Sequence, residues 1–442
     1  MALPAEQLAG ASLTAAIDAL LRPIYRADDT GAAVIAVQGG HTVFRAAYGQ
    51  ANLELGVPMG SEMVFRLASL TKQFTAVAIL LLVEEGRLTL DAAISSLLPG
   101  YPQRGQPVTV HQLLTHTSGV NSFRNPEQTR DLPRRELTMP EMLALAADAS
   151  PESAPGERFL YNDAGYIRLG AIIQVVSGRS FEQFLQERIF GPLGLTRTCY
   201  EHPERIIPGR VSGYQPGPSG VQNAPATHVH LAFAAGGLLS TIDDLARWQA
   251  ALAASRLLRR ETLELAYTAA TLNDGKSTGY GYGWSIRSYE GNRIVEHGGE
   301  LAGFHNHALY LPDNDIFVAV LTNQLPGVEP PLQLTMRIAA LLLGKPYREP
   351  VAVALPTALL DRYCGAYVTH SGESLTISRS DTALVLQAGG NALREIYPES
   401  KVSFFFRDAF TRLTFLDRPD GTISGLQMQD RGGPVQEAGR VK

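Results

Sequence analysis

The spacing of apolar residues along the first part of the chain alternates between helical and strand periods. Residues 11–26 carry apolar side chains at the three- and four-residue spacing of an amphipathic helix. Two short runs follow, Ala32–Gln38 and Thr42–Tyr48, and the Gly-Gly turn between them predicts a β-hairpin. Ala76–Val83 is an unbroken apolar run that closes at Gly86, which predicts a buried helix with a glycine stop.

The middle of the chain is predicted to be a mainly helical block. Short helical patterns recur there at 91–98, 109–114, 167–176 and 181–190. Gln215–Thr227 is rich in Pro, Gly and Asn and is predicted to be a loop. Thr241 and Asp244 have the spacing of a capping box, with Asp in place of the usual Glu, at the start of a further helix.

Beyond Leu272 strand-like runs replace the helical ones. Four runs lie between Gly, Asp and Asn turns, namely Tyr280–Arg287, Asn292–His297, His305–Leu311 and Ile316–Asn323. Pro331–Leu343 then has the length and period of a closing helix. We therefore expect an α+β fold in which an antiparallel sheet draws strands from both ends of the domain, is flanked by helices, and holds an inserted helical block.

The last part of the chain has a different sequence pattern. Three prolines mark residues 346–356 as a linker, and the short strand-like runs after it are separated by turn residues, with little helix evident beyond Leu360. This pattern predicts a small all-β barrel-like domain. The expected organisation is a catalytic domain over 1–345, a linker over 346–356 and the small domain over 357–442.

Composition narrows the classes of protein that fit. The chain has 442 residues, 45% of them hydrophobic and 18% charged, with a formal charge of -5, which is ordinary for a globular protein and gives no reason to expect nucleic acid as a partner. Cys199 and Cys364 are far apart, so neither a disulfide framework nor a cysteine metal pair is indicated. No apolar run approaches the ~20 residues that a membrane span needs. The first residues lack the pattern of a signal peptide. We expect a cytoplasmic protein, the alternative being a periplasmic or secreted one whose signal peptide has been removed.

Ser69 and Lys72 carry the first candidate chemistry. Three residues apart at the predicted start of the apolar helix, their side chains share one face, and unpaired backbone N–H groups at a helix start stabilise negative charge. A hydroxyl, an amine and free donors are the parts of an activated nucleophile. Ser-x-x-Lys alone is a weak signal, because a capping serine followed by a surface lysine gives the same pattern.

Four further segments change that assessment, because they occur with Ser69-x-x-Lys72 in a fixed order: Leu113–Gly119, Tyr161-Asn162-Asp163, Ala235–Thr241 and His297-Gly298-Gly299. Together the five segments resemble the penicillin-recognising serine hydrolases, which include β-lactamases, D,D-peptidases, D-aminopeptidases and related esterases. The class C-like branch is the most similar, over roughly Leu13 to Leu343. The stretch from Leu359 onward resembles the small β-barrel appended to some members.

This resemblance implies a β-lactamase/transpeptidase-like fold and a role for each matching residue. Ser69 would attack the substrate carbonyl, and Lys72 and Tyr161 would share the proton transfers, with the identity of the general base left open. The backbone N–H groups of Ser69 and Glu300, next to Gly299, would form the oxyanion hole. The substrate would be a small molecule or short peptide, no cofactor is expected, and a homo-oligomer is left open.

Two positions depart from the pattern of many members. His297 stands where a Lys-Thr-Gly lysine would bind a substrate carboxylate, and with an unperturbed pKa near ~6.5 a histidine is a poorer anchor for an anion. Asp163 stands where an asparagine would donate, and a carboxylate suits an ammonium instead, either that of Lys72 or that of a substrate. Both departures favour an esterase or a D-aminopeptidase/amidase over a β-lactamase or D,D-peptidase.

Other interpretations use other residues. His370-Ser371-Gly372 repeats the His-x-Gly pattern, but it lies outside the region of resemblance. Two histidine pairs could ligate a metal in a metallohydrolase, yet no carboxylate or cysteine spacing accompanies them; they are His228 with His230 and His305 with His307. A non-catalytic binding protein of the same fold is the remaining alternative, and the presence of Ser69, Lys72 and Tyr161 argues against it.

Overall fold

A computed structural model describes residues 13–98, 107–121, 138–144, 150–225, 232–327, 329–369, 372–380, 383–390, 392–418 and 420–441. This chain divides into two compact units. The first comprises the described residues up to Ile286 together with Asn292–Pro346, and the second comprises Arg287–Gly291 together with the residues from Tyr347 onward.

A six-stranded antiparallel sheet forms the framework of the first unit. Its strands are β1 (Ala32–Gln38), β2 (His41–Tyr48), β10 (Ser285–Tyr289), β11 (Asn292–Leu301), β12 (Phe304–Leu311) and β13 (Ile316–Thr322), in the order β10-β11-β12-β13-β1-β2. Of β10, only Ser285 and Ile286 belong to the first unit. Every residue of β13 is buried, as its unbroken apolar sequence predicts for a central strand. Strands from both ends of the unit thus meet in one sheet, which confirms the predicted α+β arrangement.

Helices fill the chain between β2 and β10 and pack with the sheet. They are α2 (Thr71–Glu84), α3 (Ile94–Leu97), α4 (Val110–Leu114), α5 (Met139–Ala144), α6 (Asp163–Ser177), α7 (Phe181–Leu185), α8 (Gly191–Leu193), α9 (Phe233–Gly236), α10 (Ile242–Ala253) and α11 (Arg260–Ala266), while α1 (Leu13–Leu21) precedes β1 and α12 (Pro331–Leu342) follows β13. Residues Thr71–Leu82 of α2 are all buried, so this helix is the centre of the core. It ends as predicted, with Gly86 in the left-handed conformation at φ 69°.

Short strands complete the first unit between its helices. They are β3 (Gln50–Asn52), β4 (Val57–Pro58), β5 (Phe65–Arg66), β6 (Cys199–Tyr200), β7 (Tyr214–Gly217), β8 (Gly220–Asn223) and β9 (Leu238–Ser240). In one small sheet β9 lies between β5 and β6 and pairs with both, so Arg66 faces Leu239 in the register. This pairing anchors the chain immediately before Ser69.

The second unit is a closed antiparallel barrel preceded by a helix. After α13 (Thr357–Tyr363), the barrel runs through β14 (Gly365–Thr369), β15 (Ser374–Arg379), β16 (Leu384–Ala388), β17 (Arg394–Pro398), β18 (Ser403–Phe405), β19 (Thr411–Asp417), β20 (Ile423–Asp430) and β21 (Gln436–Arg440). Its interior is filled by an aromatic group that includes Tyr363, Tyr367, Phe404 and Phe415. The predicted small β-barrel is confirmed.

Several local predictions differ from the structure. The segment Gln215–Thr227, predicted to be a loop, contains all of β7 except Tyr214 and all of β8, because a tight hairpin uses the same Gly and Asn residues as a loop. Tyr280–Arg287 is strand only from Ser285. Thr241 caps α10 by accepting from the Asp244 backbone N–H, but the Asp244 carboxylate accepts from Arg197 and Thr198 and completes no capping box.

Candidate active site

Ser69 lies in a single 3-10 turn, Ala68–Leu70, rather than at the first turn of α2 as predicted. Ala68 immediately before it has φ 51°, a left-handed conformation that is costly for a residue with a Cβ. Ala68 keeps this conformation because the neighbouring strands hold the turn in place. The Asn306 side chain donates to the Arg66 carbonyl at 2.7 Å, and its oxygen accepts from the Thr322 backbone N–H at 3.1 Å.

Strand β11 passes directly over the Ser69 turn. A Cβ added to Gly299 would lie 2.2 Å from the Leu67 carbonyl oxygen, so only glycine allows this approach. Gly299 is buried and Glu300, the next residue, is exposed. His297-Gly298-Gly299 was predicted at a strand end, but it lies inside β11, which continues to Leu301.

Lys72 is fully buried beneath Ser69. Its Nζ lies 3.0 Å from Ser69 Oγ, 2.8 Å from Asp163 Oδ1 and 2.9 Å from the Ala235 carbonyl oxygen. Tyr161 is a further hydrogen-bond partner of this side chain. The Asp163 carboxylate and the Ala235 carbonyl oxygen can only accept, so Lys72 donates to both, as an ammonium does.

Electrostatics support the charged form of Lys72. Burial acts to lower the pKa of Lys72, but the charges of Asp163 and Tyr161 outweigh it, so the pKa lies above its ordinary value. The Asp163 side chain is 39% exposed, whereas that of Lys72 is 0% exposed. The pair thus has one partner in the core and one at the surface that a substrate can reach.

Tyr161 joins this group from the start of α6. Asn162 caps that helix by accepting from the Gly165 backbone N–H at 3.3 Å, which fixes the chain on either side of it. The Lys72 Nζ lies 4.9 Å from the centre of the Tyr161 ring. Ser69, Tyr161 and Asp163 are each only partly buried as whole residues, although the hydroxyl oxygen of Tyr161 is itself buried.

His297 is buried and neutral. Its side chain contacts Tyr280 and a backbone carbonyl: Nδ1 lies 2.6 Å from the Gly298 oxygen and Nε2 lies 2.9 Å from the Tyr280 hydroxyl. A carbonyl can only accept, so Nδ1 carries the hydrogen and Nε2 accepts from Tyr280. Burial and the nearby charge of Lys72 lower the pKa of His297 to about 3. In this state the residue offers no cation to a substrate carboxylate.

The structure thus brings Ser69, Lys72, Tyr161 and Asp163 into one group, with Gly299 above it and His297 beside it. Sequence reasoning missed Tyr280 as a member of this site and treated it only as part of a strand. The run Tyr280-Gly-Tyr-Gly-Trp284 contains alternating glycines and aromatic residues, which is the signal that could have drawn attention to it.

Of the two histidine pairs, only His305 and His307 lie within the described residues. Among the residues that the structure describes, no group of three or more His, Cys, Asp or Glu side chains is placed to hold a metal ion. His307 Nδ1 instead lies 2.7 Å from the Thr335 hydroxyl. His228, His230 and the repeated His370-Ser371 fall outside the described residues. In the described ranges no helix is long and apolar enough to cross a bilayer.

A fold with this sheet and helical block, carrying a serine and lysine one turn apart, defines the serine-active class of β-lactamase-like proteins. The profile of the Beta-lactamase family matches residues 17–343, and the chain belongs to that family. The resemblance found in the five sequence segments is confirmed.

Individual relatives agree with this assignment. The chain is 28% identical over 434 residues to Penicillin-binding protein 4* of Bacillus subtilis, covering 92% of this chain and 94% of that protein. It is 28% identical over 362 residues to a D-aminopeptidase of Gluconobacter oxydans, covering 80% and 66% respectively. Among solved structures, the octameric penicillin-binding protein homologue from Pyrococcus abyssi has a TM-score of 0.65 and 28% identity, covering 92% of this chain and 95% of that one.

Proposed function

We propose that this protein is a serine hydrolase of the esterase or D-aminopeptidase/amidase type, which cleaves its substrate through an acyl-enzyme on Ser69. One observation carries the proposal: the buried Lys72 ammonium lies between Ser69 Oγ and Asp163 Oδ1, at 3.0 and 2.8 Å. A buried cation held against a partly exposed serine hydroxyl stabilises the alkoxide that an attacking serine becomes.

The first half of the proposed reaction forms the acyl-enzyme. Tyr161, acting as the general base, takes the hydrogen from Ser69 Oγ while that oxygen forms a bond to the substrate carbonyl carbon. The negative charge that moves to the carbonyl oxygen is stabilised by the backbone N–H groups of Ser69 and Glu300. The intermediate then collapses, the bond to the leaving group breaks, and the leaving group takes the proton from Tyr161.

The second half repeats these steps with water. Tyr161 takes a proton from water as the water oxygen attacks the acyl carbon. The bond to Ser69 Oγ then breaks and the serine recovers its hydrogen from Tyr161. Lys72 remains an ammonium throughout, which is why we assign the base to Tyr161 rather than to Lys72.

The substrate type follows from the two residues that depart from the family pattern. His297 is neutral at pH 7, since burial and the charge of Lys72 lower its pKa to about 3, so it is poorly suited to bind a substrate carboxylate. Asp163 is a partly exposed carboxylate beside Ser69 and suits a substrate ammonium. Esters and amides of amino acids that have a free amino group and no free carboxylate fit both features.

A substrate panel tests the proposal. We expect p-nitrophenyl esters and D-amino-acid p-nitroanilides to give a higher kcat/KM than a chromogenic cephalosporin, with L-amino-acid p-nitroanilides as the stereochemical comparison. Ser69→Ala should lower kcat by several orders of magnitude while leaving the fold intact, because it removes one partly exposed hydroxyl. A fluorophosphonate should label the wild type at Ser69 and leave the variant unlabelled.

Other outcomes would support the alternatives. A cephalosporin turned over faster than the esters would favour a β-lactamase or D,D-peptidase, an activity that the similarity to Penicillin-binding protein 4* keeps open. No labelling and no turnover by the wild type would favour a binding protein of the same fold. Likeness to the octameric Pyrococcus homologue supports a homo-oligomer, which sedimentation velocity would measure.

A further inference from the structure

His116 lies in the loop after α4 and is held in an unusual backbone conformation. Its φ is 58°, in the left-handed region that residues with a Cβ rarely adopt, and the residue is 2% exposed. A buried polar side chain on a strained backbone persists only where its surroundings fix it. The contacts of His116 lead to the stretch of chain that carries Tyr161.

Two hydrogen bonds join His116 to the peptide groups on either side of Tyr161. The Leu160 backbone N–H donates to the His116 carbonyl oxygen at 2.9 Å. The Asn162 backbone N–H donates to His116 Nδ1 at 3.0 Å. One residue therefore holds the chain immediately before and immediately after Tyr161.

The second of these bonds fixes the form of the imidazole. A peptide N–H can only donate, so Nδ1 must be the acceptor, and the ring hydrogen is on Nε2. The His116 ring in this structure is accordingly neutral. Replacing Nδ1 by a group that cannot accept would leave the buried Asn162 N–H without this partner.

The face of the imidazole also packs against the Tyr161 ring. The two ring centres are 4.3 Å apart at an interplanar angle of 37°, and the Tyr280 ring lies 4.8 Å from His116 on a steeper angle of 63°. The Tyr161 ring is thus confined by His116, while Lys72 Nζ lies 4.9 Å from its centre. Backbone and side chain of Tyr161 are both held by the same residue.

We propose that His116 is a positioning residue for Tyr161, acting through its Nδ1 acceptor and its left-handed backbone. This inference rests on the proposed function, in which the Tyr161 oxygen moves protons between Ser69 and the leaving group. A displacement of about 1 Å in a proton-transfer group costs about 100-fold in rate. The hydrogen bonds of His116 to Leu160 and Asn162 and its ring contact with Tyr161 all lead to Tyr161, so its effect passes through that residue.

A matched pair of variants isolates the acceptor. Glycine and asparagine both tolerate a positive φ, and both remove the imidazole ring, but only asparagine keeps an oxygen near the position of Nδ1. We expect His116→Gly to lower kcat for a p-nitrophenyl ester about 100-fold with KM changed less than threefold. His116→Asn should restore kcat to within about tenfold of wild type. Ser255→Gly, at an exposed residue with φ 52°, controls for adding a glycine at a positive φ and should leave kcat unchanged.

The readouts separate this inference from the proposed function. A wild type that neither turns over the ester nor reacts with a fluorophosphonate would overturn both. Wild-type turnover with equal kcat in His116→Gly and His116→Asn, whether both high or both low, would overturn the role of the acceptor alone. A loss confined to KM would do the same. The melting temperature of each variant is measured as a control for folding. If His116→Gly does not fold, His116→Leu replaces it as the variant without an acceptor. A kcat near wild type in His116→Asn together with a loss in His116→Leu then supports the role of the acceptor, and equal kcat in these two variants overturns it.

Discussion

At the scale of single residues, the charge on Lys72 depends on its neighbours more than on its own chemistry. A lysine that is 0% exposed would lose its proton readily if it had no partner, because burial disfavours the charged form. The Asp163 carboxylate at 2.8 Å reverses that preference. The state of the nucleophile therefore depends on an aspartate that is not itself expected to touch the scissile bond.

Replacing Asp163 tests this dependence. We expect Asp163→Asn to lower the pKa of Lys72, since burial would no longer be offset by that charge. If the ammonium is the active form, the alkaline limb of the kcat/KM profile should move to lower pH by about one unit or more. Asp163→Glu keeps the charge and should move it much less. A shift of the acid limb instead, with activity gained at lower pH, would mean that neutral Lys72 is the general base.

His297 gives a second pH dependence, in stability rather than activity. Burial and the charge of Lys72 lower its pKa to about 3, from about 6.5 in an unfolded chain. The unfolded state therefore binds the proton first, and stability is lost as the pH falls from about 6.5 toward 3. Between pH 7 and pH 4 this one group should remove about 3 kcal/mol from the free energy of unfolding.

Urea unfolding of variants measures that contribution. His297→Gln should lose about 3 kcal/mol less than wild type over the same pH interval, whatever its stability at pH 7. His41→Gln alters an exposed histidine at the start of β2 and should follow the wild-type pH dependence. Parallel curves for wild type and His297→Gln would show that the native imidazole takes up its proton over the same pH range as in the unfolded chain.

At the scale of elements, the contact between strand β11 and the Ser69 turn depends on one missing side chain. An added Cβ at Gly299 would meet the Leu67 carbonyl oxygen at 2.2 Å, whereas one at Gly298 would find its nearest atom, the Asn306 carbonyl oxygen, at 3.7 Å. Two adjacent glycines on one strand therefore have opposite tolerance for a methyl group.

This pair of positions yields a matched prediction. Gly299→Ala should destabilise the protein by about 2 kcal/mol through overpacking. It should also lower kcat about 100-fold, because β11 must move away from Ser69. Gly298→Ala should show a loss of less than tenfold in kcat and a smaller change in the unfolding midpoint. Equal effects of the two alanines would mean that β11 does not need close contact with the turn.

The sequence predicted those elements that form through local interactions better than those that depend on contacts between distant residues. β1, α2 and α6 follow from local period and stop residues, and their predicted positions are close to those observed. The positive φ of Ala68, by contrast, depends on strands more than 150 residues later in the chain, which no local pattern reports. Tyr280 contacts His297 only in the folded chain, and no local sequence pattern reports this contact. The sequence analysis therefore missed Tyr280 as a residue of the site. The sequence suggested two partners for Asp163, the Lys72 ammonium and a substrate ammonium, and the structure has the first. Opposite charges can be recognised in the sequence itself, so this pairing could be expected without knowing the path of the chain.

At the scale of the whole molecule, we propose that the two compact units are domains that fold separately, with a boundary near residue 346. A chain ending at Lys345 should unfold cooperatively and retain ester hydrolysis, since Ser69, Lys72, Tyr161 and Asp163 all lie in the first unit. Circular dichroism and p-nitrophenyl ester kinetics would measure this. Residues 347–442 expressed alone should give a cooperative all-β unfolding transition. A molten or insoluble chain of residues 1–345 would mean that the boundary is misplaced.

The order of strands in the main sheet has a consequence for biosynthesis. Ala32 on β1 pairs with Thr322 on β13, so 290 residues must be synthesised before the first strands of this sheet meet their central partner. Until then β1 and β2 are an isolated hairpin, which is marginally stable in water and exposes an apolar edge. Contacts of such long sequence separation form slowly. A nascent chain of this protein therefore passes most of its translation with Ser69 present but its sheet incomplete, and its yield should depend on chaperones and on the rate of translation.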